Sequence, residues 1–497
     1  LGSVVRKLPN IRAPSGTLRI KVNHSKTVEA MTKGVLRHLP SVTELIETSP
    51  LKPLVDRISH NVVVDGVRSF LDDYRQEIDG VDQPVDIASV TQMAERIARR
   101  ILRGERSSLR PVINATGILL HTGLGRAPLA EQAIEEMVTI ARDYASLELD
   151  LRTGKRSNRF DAVEGLLCEI TGAEAAAVVN NNAGATMLTL AALGSGREVI
   201  VSRGQLIEIG GSYRLPDVMQ VSGACLREVG TTNKTREQDY ENAICEKTAA
   251  LMRVHPSNFM VVGFTAGVGL AELVRIGKKH RLPVIDDIGS GAITDLTPYG
   301  IRDEPLAAES IATGADVVLF SGDKLMGGPQ SGIILGKRKE IERIVQHPMA
   351  RALRVDKLTL AALGATLRLL RDPQQAAHQI PLLQLLATPN ENLRLRAESI
   401  ASQLQHVTGI AKAEAIEEEA FLGGGSVPTQ QIKTWCVAID LDTESLNSFH
   451  TRLRTGTPAV VGRVQKGQLL IDLRSVPPRQ DAQIVLAISQ CPISAPN

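Results

Sequence analysis

Aromatic residues are scarce: the 497-residue chain holds one Trp, five Tyr and seven Phe, 3% in all. Base stacking on exposed rings is therefore not expected as the main mode of any RNA contact. Cysteine is thin as well. The five thiols, Cys168, Cys225, Cys245, Cys436 and Cys491, form no CxxC pair, which argues against a disulfide framework or a zinc site and for reduced thiols in the cytoplasm. No apolar run reaches the ~18 residues that cross a bilayer, and no apolar signal-peptide core follows the first residues. A cytoplasmic protein with no membrane partner is expected. Neither charge sign dominates, with 57 Lys and Arg against 55 Asp and Glu, so the whole molecule is not a basic polyanion binder.

What is present is an ordinary globular composition, 43% hydrophobic and 23% charged, long enough for about two to four domains. Basic charge is concentrated in two places. Residues 1–40 carry Arg6, Lys7, Arg12, Arg19, Lys21, Lys26, Lys33 and Arg37 against Glu29 alone, and Arg96, Arg99, Arg100, Arg103, Arg106 and Arg110 form a second run. Either cluster suits a phosphate backbone, and either alone is equally compatible with a tail or a solvated helix face. Residues 1–39 show no sustained apolar period and are expected to be a flexible basic extension. From Ser41-Val42-Thr43-Glu44, a capping-box pattern, apolar residues recur at helical spacing, as in Val63, Val67, Phe70, Leu71 and Tyr74. Residues 40–108 are predicted to be a small all-helical domain.

Beyond Pro111 short apolar runs (176–179, 199–201, 251–254, 284–285, 317–320) alternate with helical stretches (129–141, 186–193, 270–280). That alternation predicts an α/β domain over 109–385 with a mostly parallel sheet. Residues 386–497 read as a smaller α+β domain.

The chemistry gathers around Val317-Val318-Leu319-Phe320-Ser321-Gly322-Asp323-Lys324, followed by Gly327-Gly328-Pro329-Gln330. A buried strand delivers one lysine to the end of the sheet where α/β folds hold ligands. A lysine shielded from water has a lowered pKa and is a usable amine nucleophile, and Ser321 places a hydroxyl nearby for a phosphate. Asn180-Asn181-Asn182-Ala183-Gly184 is a small-residue turn opening a helix, whose N–H groups suit a phosphate; Asn182, Ala183 and Gly184 are the candidates. Asp286 and Asp287 end another buried strand, where a carboxylate needs a positive partner; a protonated pyridine nitrogen is one, with Asp287 favoured and Asp286 the alternate. Arg126, Arg159, Arg351 and Arg354 stand at loops or helix starts and suit oxyanions. A phosphate turn, then an Asp, then a strand-end Lys is the outline of a fold-type I pyridoxal phosphate enzyme.

With those residues on the page, Asn114-Ala115-Thr116-Gly117-Ile118-Leu119-Leu120-His121-Thr122, Leu124-Gly125-Arg126-Ala127-Pro128-Leu129, Ile209-Gly210-Gly211-Ser212, Ser321 to Gln330, Gly423-Gly424-Gly425-Ser426 and Leu473-Arg474 resemble the bacterial selenocysteine synthases, the L-seryl-tRNA(Sec) selenium transferases, from about Leu39 to the end. Gly123 and Ser157 depart from that pattern, where Asn and Gly are expected. The resemblance implies that Lys324 carries pyridoxal 5′-phosphate, and that Asp323, Arg126, Arg159, Arg351 and Arg354 surround the place where selenophosphate meets the seryl group. It implies that the helical domain binds tRNA(Sec), and that the chain forms a ring of dimers, a decamer, with sites between subunits. The expected reaction removes the seryl hydroxyl to give a dehydroalanyl group, to which selenium adds. The rival expectations are a related pyridoxal phosphate lyase acting on a small phosphorylated amino acid, which would not need residues 40–108, and a non-catalytic tRNA-binding relative, which would not need Lys324 and Asp287.

Overall fold

A computed structural model describes residues 39–79, 88–105, 109–211, 213–257, 259–423, 426–442 and 445–491. The basic extension expected over 1–39 lies, but for its last residue, outside them, as do Arg106, Ser212, Gly424 and Gly425 of the sequence patterns. Two compact units are present, Leu1–Arg110 and Pro111–Asn497.

The described part of the first unit is helical, with its longest segments at His60–Asp79 and Val90–Gly104. Ser41 caps a short helix by accepting a hydrogen bond from the Glu44 N–H at 3.2 Å. A full capping box, missed in the sequence, starts the Val90–Gly104 helix: Ser89 Oγ accepts from Gln92 N and Gln92 Oε1 accepts from Ser89 N. Met93, Ala94, Ile97, Ala98 and Ile101 are buried while Arg96, Arg99, Arg100 and Arg103 are exposed, the division a 3.6-residue period imposes. Arg100 is tied to Asp73 at 2.6 Å and Ser69 at 3.0 Å, which leaves the other three facing solvent.

The second unit is built on seven strands, β1 (Ala175–Val179), β2 (Glu198–Ser202), β3 (Cys225–Val229), β4 (Thr248–Val254), β5 (Val284–Gly289), β6 (Val317–Ser321) and β7 (Gly332–Gly336). They run in the order β1-β7-β6-β5-β4-β2-β3. All neighbours are parallel except β7, which is antiparallel to both β6 and β1. Each predicted run lies within one of these strands; β3 and β7 carried no strong enough apolar signal to be picked out. Both faces are covered. Val318 and Phe320 join one apolar cluster and Val317 and Leu319 the other, which is why β6 reads as an unbroken hydrophobic run.

A second sheet contains the long hairpin Ile410–Gly423 and Ser426–Leu441, the pair Arg463–Gln465 and Gln468–Asp472, and Ile118–Leu120 alongside Ile410–Gly423. Val112–Asn114 pairs separately with Ala459–Val461. The segment that enters the α/β region is thus stitched first into the C-terminal elements. Asp472 holds the seam: fully buried, it accepts from Thr434 Oγ1 at 2.6 Å and from Arg463 Nη1 at 2.6 Å, and that guanidinium also donates to Thr116 O at 2.8 Å.

Gly117, at φ +77°, lies against both Asp472 and Arg463, and a Cβ there would overlap both side chains. Gly117→Ala should destabilise the protein by about 2–5 kcal/mol, from left-handed backbone plus overpacking. Gly165→Ala, in the helix Asp161–Thr171 with nothing near its would-be Cβ, should stabilise by about 0.5–1 kcal/mol. Urea denaturation of the two variants checks both signs.

Candidate active site

The C-terminal ends of β4, β5 and β6 and the turn after β1 converge on one cavity of about 240 Å³. Lys324 and Asp287, each 5% exposed, both line it, with Asn182, Ala183, Ser321 and Arg126. Neighbouring residues on a strand face opposite sides, and this decides between the two aspartates. Asp286 turns away to Ser310 Oγ at 2.7 Å and Arg253 at 3.3 Å. Asp287 faces the cavity, accepting from Asn182 Nδ2 at 2.9 Å, Thr186 Oγ1 at 2.9 Å and Gly289 N at 3.1 Å.

Burial raises the Asp287 pKa, and those hydrogen bonds, with Lys324 nearby, act against the rise. Burial also depresses the Lys324 ammonium, helped by Arg126 and opposed by Asp287 and Asp323. A deprotonated amine is the form that attacks a carbonyl or takes a proton. Arg126 donates from Nη1 to Asp323 Oδ2 at 2.8 Å. Its φ is +62°, next to Gly125 at +92°, a left-handed pair that costs an arginine about 1–2 kcal/mol. Such strain concentrates where a side chain must be aimed.

Pyridoxal phosphate fits this cavity. Among the described residues no ion pair reaches the buried Asp287, and a pyridinium nitrogen would supply that cation. Ser257 Oγ and Asn182 Oδ1 are buried with no hydrogen-bond partner among the described residues, and Ser257 Oγ suits a phosphate oxygen. The helix Asn182–Gly194 offers its first N–H groups at the same place. Gly184 differs from expectation: its N–H is taken by Asn181 Oδ1 at 2.8 Å, it does not line the cavity, and Leu353 packs against it. The phosphate candidates on that turn are therefore Asn182 and Ala183.

Three expected arginines are not at the cavity within one chain. Arg159 donates to Glu148 Oε1 from Nη2 at 2.8 Å and to Val355 O at 2.6 Å, and Arg354 lies 3.8 Å from the same carboxylate. Arg351 is exposed on the short helix Met349–Ala352. Sequence reasoning also missed His255, Ser257 and Tyr213, all lining the cavity. The available signal for the first two was their position just past β4, at the sheet end that carries Lys324.

A family model for L-seryl-tRNA selenium transferase matches residues 112–477, and one for the selenocysteine synthase N-terminal region matches residues 36–75. The L-seryl-tRNA(Sec) selenium transferase of Geobacter sulfurreducens is 46% identical over 444 residues, 89% of this chain and 96% of its own. That of Moorella thermoacetica is 46% identical over 460 residues, 92% and 97% respectively. Among solved structures, a D-glucosaminate-6-phosphate ammonia-lyase superposes with a TM-score of 0.54 at 22% identity, over 77% of this chain and 96% of that one. At that identity the likeness establishes the fold alone. Among the described residues no helix is long and apolar enough to cross a membrane.

Burial, with Arg253 and Lys324 adding to it, drives the His255 pKa from 6.5 down to about 4. The imidazole is neutral in the fold while its unfolded counterpart protonates near 6.5, so stability is intact above that pH and is lost as pH falls toward 4. Acidification should cost the cofactor-free protein up to about 3 kcal/mol through this residue. Between pH 7 and pH 4 the urea midpoint of the parent chain should fall relative to that of His255→Gln.

Proposed function

The chain belongs to the L-seryl-tRNA(Sec) selenium transferase family, and on that premise we propose how its own residues convert seryl-tRNA(Sec) to selenocysteinyl-tRNA(Sec). The observation that carries the assignment of roles is the single cavity shared by Lys324, Asp287 and Arg126.

Pyridoxal phosphate is the cofactor, and when bound it supplies an electron sink at the seryl Cα. Asp287 would hold its pyridine nitrogen, with Asn182 and Thr186 orienting that carboxylate and favouring its ionised form. Ser321, Ser257 and the N–H groups of Asn182 and Ala183 would hold its phosphate. Lys324 would anchor it and then take the Cα proton on Nζ; its depressed pKa favours the free amine that accepts this proton, and the ammonium so formed gives it back. Asp323 is the candidate to assist departure of the seryl hydroxyl, a poor leaving group, and its bond to Arg126 fixes both side chains. Arg126 receives the donor's oxyanion. Selenophosphate is the proposed donor: its selenium replaces the seryl oxygen and phosphate is released, which balances the exchange. Because the substrate carboxyl is esterified to tRNA, no arginine is needed for it.

Arg159, Arg351 and Arg354 are proposed to complete the donor site from a neighbouring subunit in a ring of dimers. Exposed apolar residues at Ile134, Val138, Tyr144, Leu149 and Leu151 support such an interface. The helical unit is proposed to bind the tRNA through Arg96, Arg99 and Arg103, the α/β region to hold the cofactor, and the C-terminal elements to close the fold. A cytoplasmic location accords with tRNA as substrate.

Conversion of seryl-tRNA(Sec) with and without selenophosphate tests the assignment. Lys324→Ala should abolish both product and the visible absorbance of the bound cofactor. Arg126→Lys should cut donor use about tenfold while the seryl-tRNA KM stays within about twofold, because a lysine cannot form the bidentate contact. Replacing Arg96, Arg99 and Arg103 by Gln should weaken tRNA binding and reduce its salt slope by about three. Unchanged binding would remove the helical unit from this role.

A further inference from the structure

Asp287 shares a hydroxyl that has one proton and two acceptors within reach. Thr186, fully buried in the helix Asn182–Gly194, places its Oγ1 2.9 Å from Asp287 Oδ2 and 3.0 Å from Asn182 O. The second contact is the ordinary back-bond of a helical threonine to the carbonyl one turn earlier. The first competes with it. An ionised Asp287 accepts the threonine proton. A protonated Asp287 would instead donate to Thr186, whose own proton would swing to Asn182 O. The direction of this hydroxyl is therefore tied to the charge on Asp287.

A third group biases that direction. Tyr213 lines the same cavity as Asp287 and Asn182. A short hairpin that pairs Ile209 with Tyr213 holds it there, and its ring packs against the apolar cluster that Val317 and Leu319 join. A phenylalanine would pack as well, so it is the hydroxyl that needs a reason. That hydroxyl bonds to Thr186, and burial with the nearby Asp287 carboxylate raises its pKa, so the phenol keeps its proton. Thr186 gives its single proton to the carboxylate, the stronger acceptor, which leaves Tyr213 as the donor between the two hydroxyls. A hydroxyl that already accepts one bond is a better donor and a poorer acceptor.

We propose that Tyr213 is a positioning residue for the reaction: through Thr186 it holds Asp287 ionised, and so sets how firmly the ring nitrogen of the bound pyridoxal phosphate keeps its proton. A protonated ring nitrogen is what makes the cofactor an electron sink. The inference rests on the cofactor placement above and adds a residue to it. The other charged or titratable groups around Asp287 are Lys324, with Asp323 and Glu304 acting on it, then Arg126 and His255 in the cavity wall. Asp286 and Arg253 pair on the opposite side of β5. The comparison below of Tyr213→Phe with the parent leaves all of them in place.

The test compares full-length holoenzymes of the parent, Tyr213→Phe, Thr186→Val and the double variant, each loaded with pyridoxal phosphate isotope-labelled at the ring nitrogen. Tyr213→Phe keeps the ring and removes the hydroxyl alone. The ring-nitrogen resonance should report deprotonation about half a pH unit to one unit lower than in the parent, the scale of one hydrogen bond. Cofactor affinity and kcat should each fall about threefold to tenfold, with the seryl-tRNA KM within about twofold. In the Thr186→Val background the same substitution should move none of these, because the chain is already broken. Thr186→Ser, which keeps the hydroxyl, should restore the dependence on Tyr213. An unmoved deprotonation midpoint in Tyr213→Phe would overturn the proposal, as would a loss of equal size with and without the Thr186 hydroxyl, the mark of packing alone. A ring nitrogen indifferent to Asp287→Asn would instead overturn the cofactor placement on which the chain depends. Failure of the parent to convert seryl-tRNA, with the Tyr213 shift intact, would overturn the conversion and support the positioning role.

Discussion

A carboxylate and an amine, both nearly sealed from water, face one cavity, the first from β5 and the second from the turn after β6. Burial works against both charges at once: it raises the Asp287 pKa and lowers that of Lys324. Each is tolerable because the fold supplies partners, three hydrogen-bond donors for Asp287 and three acidic neighbours, Asp287, Asp323 and Glu304, for Lys324. Folding thus holds a destabilised pair in readiness, a common arrangement at catalytic centres. The remaining cavity residues are set by this pair, since the turn after β1 is held to β5 through the bonds from Asn182 and Thr186 to Asp287.

Much of this was legible because buried parallel strands have a strong signature. The run 317–320 is apolar on both faces, since helices cover both faces of the sheet, and the residues that break it, Ser321 and Lys324, stand out by contrast. Asp286 and Asp287 were equally legible as a pair, but their roles were not. Which of two adjacent strand residues faces the cavity depends on the face of the sheet from which the cavity is built. That is a tertiary fact with no local signal. The strand Gly332–Gly336 was missed for a related reason: its two terminal glycines and antiparallel direction look like loop. Ser257 and His255 were hidden because a lone His or Ser after a strand has many ordinary explanations.

The arginines show where a one-chain description ends. Arg126 is aimed at the cavity through a strained backbone and a bond to Asp323. Arg159 and Arg354 instead gather on Glu148, whose carboxyl they hold below its usual pKa. A carboxylate shared by several guanidiniums is a store of positive charge only partly neutralised, and an arriving dianion would compete for it. The sequence could show that these arginines lay in loops. It could not show that they assemble at a distance from Lys324, because that separation is a property of folded segments far apart in the chain.

The scarcity of aromatics seemed to argue against base stacking, and on average it does. Composition, however, constrains the number of rings and not their placement. A chain with many phenylalanines exposes some by chance, because there is not enough polar surface to cover a protein. A chain with seven, of which Phe320 and Phe449 are fully buried, has few to spare. Leaving Phe264 in solvent beside Lys234 forfeits burial that would stabilise a single chain by about 1.5–3 kcal/mol. An exposed apolar group of that kind is what a subunit or partner surface covers.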